Sequence, residues 1–218
     1  TGLQRGLYAN RNFVAGKCLE ATHLRTMDDD HTFPMDHWDE CMKAVRLDPK
    51  AIWSIGEFLT HETHRTPPYP VPGELTPGGF SIPPCFMDFC RSYSDGGAII
   101  PTSVFNDGNW FADSFRFGLL YLEFGSRLWW KGYRLRVLES TYLIHDYDPE
   151  NRSFVDDVET YSAMVFATYC LSFKYMPSIG AKLRSVSEWI KGAGLRPEYW
   201  KGLMKGLHLA KKHLQAVN

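Results

Sequence analysis

Three observations predict an all-α chain. Apolar residues recur at steps of three and four through most of its length, helix start and stop residues punctuate those runs, and no set of alternating segments gathers into a sheet. About seven to nine helices are expected, forming an irregular multi-helix domain interrupted by one extended strap.

The first helix is expected over residues 11–27, with Val14, Cys18, Ala21 and Arg25 at helical spacing. Pro34 suits the first turn of a second, where a missing amide costs nothing. Trp38, Cys41, Met42 and Val45 would line one face of that helix. Asp48 and Pro49 read as N-cap and first position of a third, with Ile52, Ile55, Phe58 and Leu59 as its stripe. Residues 66–84 hold seven of the thirteen prolines, which push the backbone toward extended geometry. With Tyr69, Val71, Leu75, Phe80 and Ile82 among the prolines, the strap is expected to lie against a surface.

A short helical piece at 85–93 leads into turn signals, and then into an apolar helix candidate over 109–131. The run "YRLRVLESTYLIHDYD" is ambiguous, alternating at first and then falling to helical spacing. Asp148-Pro149 restarts a helix to Met176, Gly192 and Gly194 end the next, and Pro197 opens the last. The expected organisation is a helical segment at 1–65, the strap at 66–84, and a main helical domain at 85–218.

The stretch "DDDHTFPMDHWDEC", residues 28–41, carries the densest chemistry: five Asp, one Glu, two His and a Cys. Asp30-His31 and Asp36-His37 offer oxygen and nitrogen donors, and His61 and His64 would complete a metal site. Yet "HETH" falls one residue short of the i, i+4 zinc spacing, and the acidic triplet lacks the glycine and closing glutamate of a calcium loop. Carboxylates ahead of a helix N-terminus are favourable without any ion. A capped, solvated turn is therefore expected, with no metal and no cofactor. His145-Asp146, with His61 or His64 before it and Asp156 or Asp157 after, imitates the residue order of helical HD-type phosphohydrolases. The five cysteines show no CxxC and are expected to be buried thiols.

The net charge of −1 hides an asymmetry. Residues 1–163 carry 23 acidic against 15 basic side chains, whereas 174–218 carry nine Lys and Arg against Glu188 and Glu198 alone. On the last helix Lys201, Lys205, His208 and Lys212 form a polar stripe beside Trp200, Leu203, Leu207, Ala210 and Leu214. Trp189, Trp200, Lys201, Lys205 and Lys212 are the expected partner-binding residues, facing other protein subunits or an anionic lipid surface. Nucleic acid is a weaker candidate.

No nucleotide-binding or nucleophile-elbow motif is present. The longest apolar run, Tyr161 to Met176, contains Lys174 and is short of the ~20 residues a membrane span needs. No leader peptide is visible. These features predict a non-catalytic structural subunit of an intracellular assembly, with a mitochondrial, membrane-peripheral complex as one such setting. A metal-dependent hydrolase of HD-like helical type and an RNA-binding or capsid-type protein are the alternatives.

Overall fold

The computed structural model describes residues 6–27, 30–59, 74–75, 81–82, 90–93, 96–116, 118, 120–146 and 157–217. It corrects the all-α expectation. Five strands form one mixed sheet: β1 (His23–Arg25), β2 (His31–Thr32), β3 (Ile52–Leu59), β6 (Ala98–Pro101) and β7 (Leu135–His145). Their order is β1-β6-β3-β7-β2, with β3 and β7 parallel and the other neighbours antiparallel.

The expected third helix is strand β3. Its helix-like spacing arises because both of its faces are covered, which erases the alternation of a half-exposed strand. Ile52 joins one core with Ala98, Ile100, Leu135 and Val137. Trp53 and Ile55 join another with Ile99, Leu138 and Leu143, against Cys41 and Ala44 of helix α2 (His37–Leu47). Asp48 caps no helix. It is buried, and its Oδ1 accepts from Lys50 N at 3.3 Å and Arg134 Nη2 at 2.9 Å, fixing the turn into β3.

The sheet's opposite face carries α1 (Leu7–Lys17), the short α3 (Ser103–Asn106), α4 (Leu120–Trp130) and α5 (Val158–Cys170), which continues as a π-helical turn over Leu171–Tyr175. Three of these begin or end differently from expectation. The first helix stops at Lys17, residues 109–116 are irregular, and α5 starts at Val158, where the Asp157 side chain accepts from Thr160 N at 2.7 Å. Outermost lie α6 (Ile179–Ala193) and α7 (Pro197–Val217), ended and opened by Gly194 and Pro197 as expected. Backbone contact between α5 and α7 is close at Gly206, where a Cβ would stand 2.5 Å from the Ser162 carbonyl oxygen.

The helical layer is tied together by one charge. Glu123 of α4 is fully buried, and its Oε1 accepts from Arg127 Nε (2.9 Å), Tyr175 Oη (2.8 Å) and His213 Nε2 (2.8 Å). Burial pushes its carboxyl up, but Arg127 and His213 outweigh that and hold it at about 2.

Most of the strap lies outside the described residues. Within it Glu74–Leu75 (β4) and Ser81–Ile82 (β5) pair antiparallel. The main sheet takes β1, β2 and β3 from before the strap, and β6 and β7 from after it. Four of the five cysteines are described: Cys41, Cys90 and Cys170 are buried free thiols, and Cys18 is a half-buried one.

Candidate functional site

The acidic stretch is expected to be a capped turn, yet Asp36 precedes α2 without a side-chain cap hydrogen bond. His31 opens β2 and pairs directly with His145 at the end of β7, their rings meeting edge to face with centroids 4.7 Å apart. Asp30, just ahead of β2, sets its Oδ2 3.0 Å from His145 Nε2. Glu57 of β3 completes the group, its Oε1 3.5 Å from both His31 Nε2 and His145 Nδ1.

A break in register lies between the two ends of β7. Ile55 pairs with Leu138 but Gly56 pairs with Tyr142, so β7 carries three extra residues, Glu139, Ser140 and Thr141. Side chains alternate along a strand, and a bulge takes up the extra residues, so those beyond it again share a face with their β3 partners. Before the insertion Arg136 and Leu138 share the face of Trp53 and Ile55; after it Leu143 does. His145, two residues on, follows Leu143 toward Glu57. Pairing resumes residue for residue beyond the insertion, so His145, opposite Leu59, lies on the same face of the sheet as Glu57. Thr141 pins the insertion to α2, its Oγ1 2.8 Å from Nδ1 of the fully buried His37.

The electrostatics follow from these contacts. Burial raises the Glu57 carboxyl, yet hydrogen bonds with His145 and His31 prevail and hold it at about 2. The same hydrogen bond with Glu57 raises His145 above the ordinary imidazole range, with burial opposing and Asp30 assisting. His37 behaves in the opposite way: burial, helped by Arg25, lowers it to about 4, so it is neutral near pH 7.

Ligand atoms of Asp30, His31 and His145 lie within 4.8 Å of one another. Two imidazoles and one carboxylate make a mixed nitrogen–oxygen donor set suited to a first-row divalent cation, and three protein ligands leave positions open for a substrate. Glu57 behind both histidines is the kind of outer group that orients such ligands. Asp28, Asp29, His61 and His64 lie outside the described residues. Asp36 and His37 do not join the group, because His37 turns into the α2 core.

Sequence reasoning singled out Asp30, His31 and His145 but did not bring them together, and it missed Glu57. The expected partner-binding residues sit elsewhere. Trp189 is buried between α5 and α6, where its Nε1 donates to Thr168 Oγ1 at 2.8 Å. Trp200, Lys201, Lys205 and Lys212 are exposed on α7.

The sequence matches no protein-family model and no curated protein sequence. Solved structures do share its fold. GalNAc-T7, solved with UDP, GalNAc and Mn2+, superposes with a TM-score of 0.62 at 13% identity, over 78% of this chain and 36% of that one. S. aureus TarS residues 1–349 superpose at 0.57 and 12% identity, over 98% and 63% of the two chains. A longer TarS structure gives 0.52 and 14%, over 87% and 31%. The chain thus spans between about a third and just under two thirds of these structures. The shared architecture is the GT-A fold of glycosyltransferases, a mixed sheet between helical layers. It corrects the expectation of an all-α, non-catalytic structural subunit, and it is not the helical frame of an HD-type hydrolase.

Proposed function

We propose that the chain carries the cation-binding portion of a glycosyltransferase that uses a nucleotide-activated sugar. The observation that carries this reading is the convergence of Asp30, His31 and His145 at the strand ends of a GT-A sheet. Support comes from GalNAc-T7, solved with UDP and Mn2+ on the same architecture, and from the TarS fragment solved with UDP-GlcNAc at a TM-score of 0.53.

Asp30, His31 and His145 would hold the ion. Glu57 stands against Nδ1 of His145, which leaves Nε2 on the Asp30 side. When bound, a divalent cation offsets the negative charge that builds on a diphosphate as its bond to the sugar breaks. The chain's own part is positional: β2 and β7 fix the two imidazoles opposite each other, and Glu57 restrains both rings. Pairing of His145 with Leu59 on one side and His31 on the other fixes the face it presents.

Titration of Mn2+ into the protein, followed by electron paramagnetic resonance, tests this. The expected result is about one ion per chain, lost in His31→Ala and His145→Ala, with UDP tightening the binding in the parent protein. Parent protein that leaves all Mn2+ free at millimolar concentration would overturn the reading.

A further inference from the structure

Helix α6 is apolar on two faces. Ala181, Ser185 and Trp189 turn inward and are buried, as the core requires. Ile179, Leu183, Val186 and Ile190 turn away from the protein and are 80%, 67%, 38% and 51% exposed. At 3.6 residues per turn these four fall within about 60° of arc and extend over roughly 16 Å. The stripe runs into the α6–α7 turn. There Leu195 is 99% exposed, and Trp200 leans over the turn with its Nε1 donating to Gly194 O at 3.0 Å. A row of aliphatic side chains facing water on a helix that already has a filled core face signals an interaction surface.

The surrounding charge selects the partner. Arg184 and Lys191 are exposed on one flank of the stripe, and Lys182 lies half-buried on the other. Exposed Arg196, Lys201, Lys205, Lys211 and Lys212 continue the basic field along the turn and α7. Glu188 and Glu198 are the only acids in residues 174–218 against nine Lys and Arg. Pairing the stripe with a second copy of itself would bring these like charges together. Its four aliphatic side chains also offer much less than the roughly 800 Å² per partner of a specific protein interface. A narrow apolar row flanked by Lys and Arg has the pattern of a helix that lies in the plane of a membrane surface. Among the described residues no helix is long and apolar enough to cross a bilayer, so the contact would be peripheral.

We propose that the exposed Ile179–Leu183–Val186–Ile190 face of α6, with Leu195 and Trp200 at its end, docks onto an anionic lipid bilayer. The aliphatic row enters the boundary between headgroups and acyl chains, while Arg184, Lys191 and the α7 lysines meet lipid phosphates. The surface is separate from the Asp30–His31–His145 group and does not depend on the function proposed for it.

Co-sedimentation of the full chain with vesicles tests the proposal, comparing pure phosphatidylcholine with a mixture in which about a third of the lipid is phosphatidylglycerol. The protein is expected to pellet with the mixed vesicles at low salt and to stay in solution with the neutral ones. Leu183→Gln with Ile190→Gln changes only exposed positions, so the circular dichroism spectrum and melting temperature should hold while partitioning falls roughly tenfold or more. Arg184→Gln with Lys191→Gln should weaken partitioning less, and raised salt should reproduce that effect. Absence of binding to the anionic vesicles, or binding that Leu183→Gln with Ile190→Gln leaves unchanged, would sink the idea. A dimer in size-exclusion chromatography that the same double substitution dissolves would also overturn it, assigning the face to a second copy.

Discussion

His213 Nε2 reaches across 90 positions to donate to Glu123 Oε1 at 2.8 Å, the same oxygen that takes the Arg127 Nε–H. The contact fastens the last helix to α4 through a carboxylate with no access to water. Replacing Glu123 by Gln would strip Arg127, itself buried, of its counter-charge. The loss of one partner from such a pair costs roughly 3–5 kcal/mol, so Glu123→Gln is expected to lower the urea midpoint sharply. A midpoint equal to that of the parent would show the network to be dispensable.

Acid should unfold the protein in two stages. His37 takes up its proton near pH 6.5 when unfolded but at about 4 when folded. The unfolded chain therefore binds the proton first, and stability declines as pH drops from about 6.5 toward 4. Glu123 titrates near 4.5 unfolded and at about 2 folded, so its contribution is complete above 4.5 and disappears between there and 2. Urea denaturation at a series of pH values should show both stages. His37→Gln should flatten the upper one only, and a stability curve level from pH 7 to 4 would contradict the assignment.

Glu57 should matter for cation binding without being counted among the ligands. Glu57→Gln keeps the size of the side chain but loses the charge that restrains His31 and His145. Cation affinity is expected to fall about 10- to 100-fold, against near-complete loss for His145→Ala. If Glu57→Gln bound Mn2+ as tightly as the parent, the two imidazoles would need no such restraint.

Gly206 is where α7 meets α5 backbone to backbone. A methyl group there would lie 2.5 Å from Ser162 O and 2.9 Å from Val165 Cβ. Both obstacles are held in a helix, so Gly206→Ala should push the helices apart and cost about 1–3 kcal/mol, even though alanine is the better helix former. Denaturant titration should show a lower midpoint with an unchanged slope. A stabilised variant would mean that α7 shifts freely.

The elements that could be read directly from the sequence were those whose signals are local. Pro197 and Gly194 mark α7 and the end of α6. Of the face expected on α2, Cys41 is buried and Val45 half-buried, but Trp38 and Met42 are exposed; the buried side is His37, Cys41 and Ala44. The strands escaped because their signals are cancelled or truncated. β3 is buried on both faces and reads like a helix stripe. The alternation of β7 is broken by the residues at 139–141, and β1 is only three residues long. The site was half visible. The acidic stretch stood out by composition, but 115 positions separate Asp30 from His145, and Glu57 lay in a segment taken for a helix. Nothing in the neighbourhood of any one of these residues points to the other two. The stripe on α6 is not legible because Ile179, Leu183, Val186 and Ile190 have the same helical spacing as a core-facing row.

The parallel pairing of β3 with β7 bears on how fast the molecule can assemble. Residues joined there lie more than 80 positions apart, and β2 is joined to the sheet through β7 alone among the described strands. The entropy of closing so long a loop must be met before the contacts that offset it form, which makes such sheets slow to fold. Helix pairs such as α6–α7 are joined by short turns and can form early. The histidine pair belongs to the long-range contacts, at the β2 edge of the sheet. Its formation reports the joining of β2 to β7, two segments more than 100 positions apart in the chain.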